Sequence, residues 1–285
     1  MKTVLRLSAV LLAFILILLV PCSLAETVPQ TVRLINHRGY NTTAPENTIP
    51  AFELSGEMGY TWVETDVSFT KDLVPVILHD PEINRTARLA DGSRLKKKVR
   101  ICDITYEEAL AYDFGIWKGE AFRETKIPTF ESFLQLCRDL GFHPYIELKQ
   151  NGVTRREQIS GLVDLVRKYG LQESVTWISF HREYLEWVRD DDPDARLGYL
   201  VLLWLTENQF ADILRQAAEL KTESNEVFLD VNIYTLLIAQ GTNNRYVSMC
   251  RDAGFPLEVW TLDSEDVLES LDPYITGVTS NSLRP

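Results

Sequence analysis

From Thr31 to Asn281 the sequence alternates short β-rich apolar runs with stretches of helical periodicity, and this alternation limits the possible folds more than any other feature. The strand-like runs are Thr31 to Asn36, Trp62 to Phe69, Val74 to Leu78, His143 to Lys149, Val175 to Phe180, Arg196 to Leu202, Val227 to Val231, Leu257 to Leu262 and Ile275 to Asn281. Helical stretches are expected at Pro45 to Gly59, Pro128 to Leu140, Thr154 to Tyr169, Arg182 to Arg189, Glu207 to Leu220, Asn243 to Ala253 and Glu265 to Leu271. Val74 to Leu78 follows the turn-like Thr70-Lys71-Asp72-Leu73 and reads as the returning arm of a hairpin. Setting that arm aside leaves eight strands in a βα alternation, which predicts an α/β fold closed into a (β/α)8 TIM barrel. An open doubly wound sheet is the alternative, disfavoured because no Gly-rich phosphate loop follows any strand. A chain of 285 residues suits one such barrel.

The first 25 residues read as a signal peptide outside the fold. Lys2 and Arg6 precede the uncharged apolar run Leu7 to Val20, and Ser23-Leu24-Ala25 places small residues where a signal peptidase cleaves. The run falls short of the roughly 20 residues that span a bilayer, so an uncleaved anchor is the lesser reading. Cys22 raises a lipoprotein alternative, against which Pro21 stands. The barrel domain is then 26–285, with an irregular insertion at about 81–126 after His79-Asp80. Export to the cell exterior, periplasm or envelope follows, with no stable membrane span after cleavage.

Loss of Lys2 and Arg6 takes the formal charge from −12 to −14. A surface so negative repels polyanions, which argues against nucleic acid as a partner. Lys96-Lys97-Lys98 reads as a solvated loop. Cys102, Cys137 and Cys250 describe neither a disulfide framework nor a zinc site, although one disulfide is possible.

The chemistry-bearing residues gather at strand ends, where a barrel places its active site. The chain has four histidines, and two of them, His37 and His79, end strand-like runs. Alternation along Trp62 to Phe69 puts Glu64 and Asp66 on one face, with Val63, Thr65 and Val67 on the other. Two inward carboxylates on one strand are costly unless a positive group lies between them, which argues for a metal. Glu147 and Lys149 repeat the arrangement, with Ile146 and Leu148 outward. If the hairpin has a two-residue turn, His79 falls opposite Glu64; with a three-residue loop it falls opposite Thr65. Two histidines supply base and acid near neutral pH, and a cation with Arg38 can hold phosphoryl oxygens, which is what phosphodiester cleavage requires. All-oxygen ligation favours one hard divalent cation, calcium or magnesium. His143 reads as structural, and His181 as a weaker candidate for substrate contact.

These motifs are ordered and spaced as in a known family. His37-Arg38-Gly39, Pro45-Glu46-Asn47-Thr48, Glu64-x-Asp66, His79-Asp80 followed by Asn84-Arg85-Thr86, Ile127-Pro128-Thr129, Glu147-x-Lys149, Ser179-Phe180, Val259-Trp260-Thr261 and Gly277-Val278-Thr279-Ser280-Asn281 cover nearly the whole chain beyond the leader. The chain resembles the glycerophosphodiester phosphodiesterases, among the phosphatidylinositol-phospholipase-C-like phosphodiesterase barrels. The resemblance implies a divalent cation, Ca2+ or Mg2+, on Glu64, Asp66 and Glu147. It implies His37 and His79 as the acid/base pair, Arg38 and Lys149 on the phosphate, and Trp260 against the glycerol carbons. The implied reaction cleaves deacylated phospholipid headgroups to sn-glycerol 3-phosphate and an alcohol, with the neighbouring glycerol hydroxyl attacking first and water opening a cyclic intermediate. Thr276 and Asn281 stand where many members carry Asp, which puts a ligand role for Asn281 in doubt. The sequons at Asn41 and Asn84 are expected to be unused.

Two other functions are open at this level. One is a phosphodiesterase acting on lysophospholipid, phosphatidylinositol or a glycerol-phosphate polymer, which would gain if Phe114, Ile116, Trp117 and Phe122 formed an exposed apolar lip. The other is a noncatalytic barrel that binds polyol phosphates, against which the intact His37 and His79 argue.

Overall fold

The computed structural model describes residues 32–153, 155–202, 205–238 and 245–285. The expected signal peptide lies outside the described residues. The strands are β1 (Arg33–Asn36), β2 (Trp62–Phe69), β3 (Pro75–Ile77), β4 (His143–Leu148), β5 (Thr176–Ser179), β6 (Arg196–Val201), β7 (Val227–Asn232), β8 (Leu257–Trp260) and β9 (Ile275–Ser280). Their order is β1-β9-β8-β7-β6-β5-β4-β2, and β1 pairs with β2 to close the ring. All eight are parallel, while β3 runs antiparallel against the upper half of β2. This is the (β/α)8 barrel that the alternation predicts.

Strand periodicity decides which side chains enter the barrel. Val63 and Val67 of β2, and Ile146 and Leu148 of β4, point outward into the layer of helices and are fully buried there. Ile35, Tyr145, Ile178, Leu200 and Phe228 fill the barrel interior. Below them Glu258, 1% exposed, accepts on Oε1 from Arg196 Nη2 at 2.7 Å, Tyr145 Oη at 3.3 Å and Arg33 Nη2 at 2.5 Å. The lower barrel is thus plugged by an ion cluster, and the open end lies at the strands' C-termini.

The helices are α1 (Ile49–Glu57), α2 (Tyr106–Ala109), α3 (Phe130–Leu140), α4 (Arg156–Tyr169), α5 (Arg182–Asp191), α6 (Glu207–Ala218), α7 (Ile233–Ile238), α8 (Arg245–Ala253) and α9 (Glu265–Glu269). Thr129 caps α3 by accepting from the Ser132 amide, and Gly141 ends it in the left-handed region at φ 68°. One helix starts later than the sequence predicts. The stretch Pro45 to Thr48 is a turn, and α1 begins at Ile49 with Pro50 in its first turn. Asn47 sits at φ 56° with its amide drawn to β2, a conformation that no helix can contain. The short α7 falls in a stretch to which the sequence assigns no element, and residues 239–244, which include the expected start of α8 at Asn243, lie outside the described residues.

Between β3 and α3 the chain forms 3-10 turns and the single-turn α2, whose Thr105 and Glu108 make a reciprocal cap. This segment has its own small core of Val76, Leu78, Ile83, Ala87, Ile101, Ala109, Phe114 and Ile127. The lysine run is exposed, as expected for a solvated loop. Cys137 and Cys250 are buried and Cys102 half-buried, all three as free thiols.

Candidate active site

The hairpin settles where His79 falls. Val67 pairs with Ile77 and Phe69 with Pro75, so the loop is Lys71-Asp72-Leu73, closed by the Thr70 amide on the Val74 carbonyl at 3.1 Å. Leu73 takes the left-handed φ of 64° that such a three-residue loop needs. The Leu78 amide then bonds the Asp66 carbonyl at 2.9 Å, which brings His79 alongside Thr65 and next to the carboxylates.

Across the ring, β1 delivers His37, β2 delivers Glu64 and Asp66, and β4 delivers Glu147 with Lys149 just beyond its end. His37, Arg38, Glu64, His79, Glu147, Lys149 and Trp260 line one cavity of about 270 Å³ at the barrel mouth. Asp66 is fully buried behind them. Oxygens of Glu64, Asp66 and Glu147 lie within 4.8 Å of one another. All eight residues singled out in the sequence therefore meet. His143 stacks on Trp62 at 4.3 Å, and His181 precedes α5 at its N-cap position without a side-chain capping bond; neither lines the cavity.

The acidic cluster is under electrostatic stress. Burial and the Asp66 charge push the Glu64 carboxyl well above its ordinary range. Burial and Asp66 likewise push Glu147 up to about 7. Asp66 goes the other way: against the cost of burial, Arg38, His79 and Lys149 hold it well below the usual carboxylate range. Arg38 Nε lies 3.3 Å from Asp66 Oδ2, and Lys149 Nζ lies 2.9 Å from Glu147 Oε1 and 3.5 Å from Asp66 Oδ1. Asp66 Oδ1 is buried with no hydrogen-bond partner among the described residues. An all-oxygen trio, crowded, buried and holding an orphaned acceptor, fits a hard divalent cation. Glu64, Asp66 and Glu147 would hold it.

Each histidine is oriented by a side-chain acceptor. His37 Nδ1 donates to Asn281 Oδ1 at 2.8 Å, and Asn41 Nδ2 donates to the same oxygen at 2.6 Å. Asn281 Nδ2 donates to Asp263 Oδ2 at 2.8 Å, and its backbone amide to Asp263 Oδ1 at 2.7 Å. Asp263 thereby decides which end of the Asn281 amide faces His37, and the imidazole keeps its Nδ1–H tautomer with Nε2 free. Nε2 lies 3.9 Å from Glu64 Oε2. Burial, with the Arg38 charge, pushes His37 down to about 4, so it is neutral near pH 7. His79 Nδ1 bonds Asp80 Oδ1 at 2.7 Å, and Arg85 Nε bonds Asp80 Oδ2 at 2.6 Å. The His79 bond, opposed by burial and helped by Arg85, holds Asp80 well below the usual carboxylate range.

The spacing of the first motifs has a backbone cause. Arg38 and Gly39 both sit at positive φ, 57° and 76°. This turn aims the Arg38 amide at Glu64 Oε2, 3.0 Å away. A Cβ on Gly39 would meet the Ala51 Cβ at 2.8 Å, so no other residue fits there. Glu46 holds Arg38 Nη1 at 2.9 Å and also bonds Arg85. Asn47 donates to Asp66 Oδ2 at 2.8 Å and accepts from Thr65 at 3.0 Å. Sequence reasoning assigned no role to Glu46, Asn47, Asp80, Arg85 or Asp263. The amides of Asn41 and Asn84 are both engaged, the latter on the Lys97 carbonyl at 2.7 Å. The apolar lip that would favour a lipid substrate does not form: Phe114 is buried, and Ile116, Trp117 and Phe122 are only half-exposed and outside the cavity.

A model of the glycerophosphoryl diester phosphodiesterase family matches residues 37–282. The chain belongs to that family. Membership makes it a phosphoric diester hydrolase. The glycerophosphodiester phosphodiesterase of Caldanaerobacter subterraneus is 30% identical over 238 residues, which span 84% of this chain and 88% of the relative. Among solved structures, an Oleispira antarctica phosphodiesterase in complex with the product sn-glycerol-3-phosphate is 25% identical. It superposes with a TM-score of 0.72 over 87% of this chain and 92% of its own. The glycerophosphodiester phosphodiesterase of Agrobacterium tumefaciens, at 21% identity and a TM-score of 0.66 over 88% and 96%, shares the fold.

Proposed function

We propose that this hydrolase cleaves glycerophosphodiesters to sn-glycerol 3-phosphate and an alcohol, with His37 and His79 as its acid/base pair. The observation that carries the reading is one cavity lined by two oriented histidines, two cations and the carboxylates Glu64 and Glu147, with Asp66 buried behind them to complete a trio. The relative bound to sn-glycerol-3-phosphate supports the product. A calcium or magnesium ion on Glu64, Asp66 and Glu147 would screen the carboxylates and draw charge from the phosphoryl oxygens. Arg38 and Lys149 place the phosphate. His37, neutral with Nε2 free, takes the proton of the attacking glycerol hydroxyl, and His79 protonates the departing alcohol. The roles exchange when water opens the cyclic phosphate. Trp260, edge-on to Phe180 at 5.6 Å, packs against the glycerol carbons.

The test is release of glycerol 3-phosphate from glycerophosphocholine with and without chelator. Chelation, His37→Ala and Glu64→Ala are each expected to lower the rate by at least about 100-fold. Activity indifferent to chelator sinks the metal assignment, and full activity in His37→Ala sinks the acid/base assignment. We further propose export, supported by the leader pattern of residues 1–25. Among the described residues no helix is long and apolar enough to cross a membrane. Mass spectrometry of protein recovered outside the cytoplasm is expected to give Glu26 as the first residue; retention of the leader on cytoplasmic protein refutes this.

A further inference from the structure

The cavity has a second face. In the ring order β7 stands directly across from β2, the strand of Glu64 and Asp66. On that side the lining is apolar, built from Ile178, Phe180, Leu200 and Trp260, with Asp230 of β7 set among them. Asp230 is 1% exposed. Its Oδ1 is buried and has no hydrogen-bond partner among the described residues. The Asp230 backbone carbonyl accepts from Trp260 Nε1 at 3.0 Å. A buried carboxyl without a partner lowers stability, and an apolar side chain of the same size would avoid that cost. Groups left in this condition on a cavity wall are the ones completed by a ligand.

We propose that Asp230 binds the terminal hydroxyl of the substrate's glycerol, and so selects diesters of free glycerol over those lacking or acylated at that hydroxyl. This deepens the proposed function and rests on it. The phosphate is held at Arg38 and Lys149, and the hydroxyl next to it must stay near His37 to react. The far end of the glycerol is then free to reach across the barrel toward β7. A hydroxyl suits the site better than an ammonium does. Burial and the Glu258 charge, against Arg196, push the Asp230 carboxyl well above its ordinary range, which favours the protonated form, able to donate as well as accept. An ester at the terminal oxygen has no proton to give, and an analogue with hydrogen there leaves Asp230 unpaired.

The experiment compares kcat/KM on glycerophosphocholine with that on the same diester carrying 1,2-propanediol in place of glycerol. Wild type, Asp230→Leu and Asp230→Asn are measured. Wild type is expected to prefer the glycerol diester by about 10- to 100-fold. Asp230→Leu brings the ratio near one, with the loss confined to the glycerol diester, and melts no lower than wild type. Asp230→Asn, which still bonds a hydroxyl, retains part of the preference. Equal losses on both diesters in Asp230→Leu, or an unchanged ratio, overturn the assignment alone. A wild type that cleaves neither diester overturns the glycerophosphodiester reading and this assignment with it.

Discussion

Glu147 offers the sharpest test of how the carboxylate trio is held. Its side chain is buried, and its pKa is raised from 4.5 to about 7 by burial and by Asp66. In the unfolded chain the group ionises near its ordinary value. Between these limits the folded state therefore binds more protons than the unfolded state. Stability of the metal-free protein falls as pH rises through this window, by about 3 kcal/mol once pH exceeds the folded pKa. For a domain of this size that is roughly 10 °C in melting temperature. A bound divalent cation keeps the carboxylate ionised and removes the penalty, so metal stabilisation should be small near pH 5 and large near pH 8. Scanning calorimetry at constant ionic strength, with chelator and with saturating calcium or magnesium, reads this directly. Glu147→Gln keeps an acceptor for Lys149 but cannot ionise. Its metal-free melting temperature should lose the share of the pH slope that Glu147 contributes, leaving that of Glu64, exceed that of metal-free wild type at pH 8, and respond weakly to metal. A metal-induced shift equal at pH 5 and pH 8 refutes the reasoning, as does a Glu147→Gln slope matching wild type.

Asn281→Leu removes the acceptor that fixes the His37 tautomer, so kcat should fall about 100-fold with KM changed less than about threefold; an equal rise in KM would point to a packing defect instead. Asp263→Asn loses the charge that orients the Asn281 amide and should lower kcat in the same direction by about 10-fold, with a melting temperature near wild type. Gly39→Ala combines a positive φ with a 2.8 Å approach to Ala51 and should cost about 2–4 kcal/mol in denaturant unfolding; a cost under 1 kcal/mol would show that the turn can shift. Asn47→Ala leaves Asp66 Oδ2 and Thr65 Oγ1 without their bonds and should destabilise by about 1–3 kcal/mol while weakening metal affinity in a calcium titration.

The parts of this protein that could be read from the sequence are those that repeat or alternate locally. Period-two alternation in Trp62 to Phe69 places Glu64 and Asp66 inside the barrel, and β2 occupies those very residues. The N-cap at Thr129 and the stop at Gly141 depend on a few neighbouring residues, and α3 has both. The eight-strand count follows from repeated βα units rather than from any single boundary. The turn after β1 is another matter. Pro45 suits the first turn of a helix, but the positive φ of Asn47 goes with its bonds to Asp66 and Thr65 on another element. No local signal records a torsion that a distant carboxylate imposes.

The same reasoning separates the residues that do the chemistry from those that hold them. His37 and His79 announce themselves because histidine is scarce in this chain and both end strand-like runs. Asn281, 244 positions from His37, stands out in the sequence only as a departure from an acidic pattern. In the folded chain that departure is compensated: Asn281 accepts from His37 through its carbonyl oxygen while Asp263 takes its amide. A carboxylate at 281 would place a negative charge against another at 263, since both Asp263 oxygens already face this residue. Asn281→Asp is therefore expected to raise the His37 pKa and shift the acidic limb of kcat/KM to higher pH. An Asp263→Asn, Asn281→Asp double variant, which restores one charge and one amide, should recover more activity than either single change. If the double variant is no better than the worse single, the two side chains do not act as one unit and the tautomer of His37 is fixed by other means.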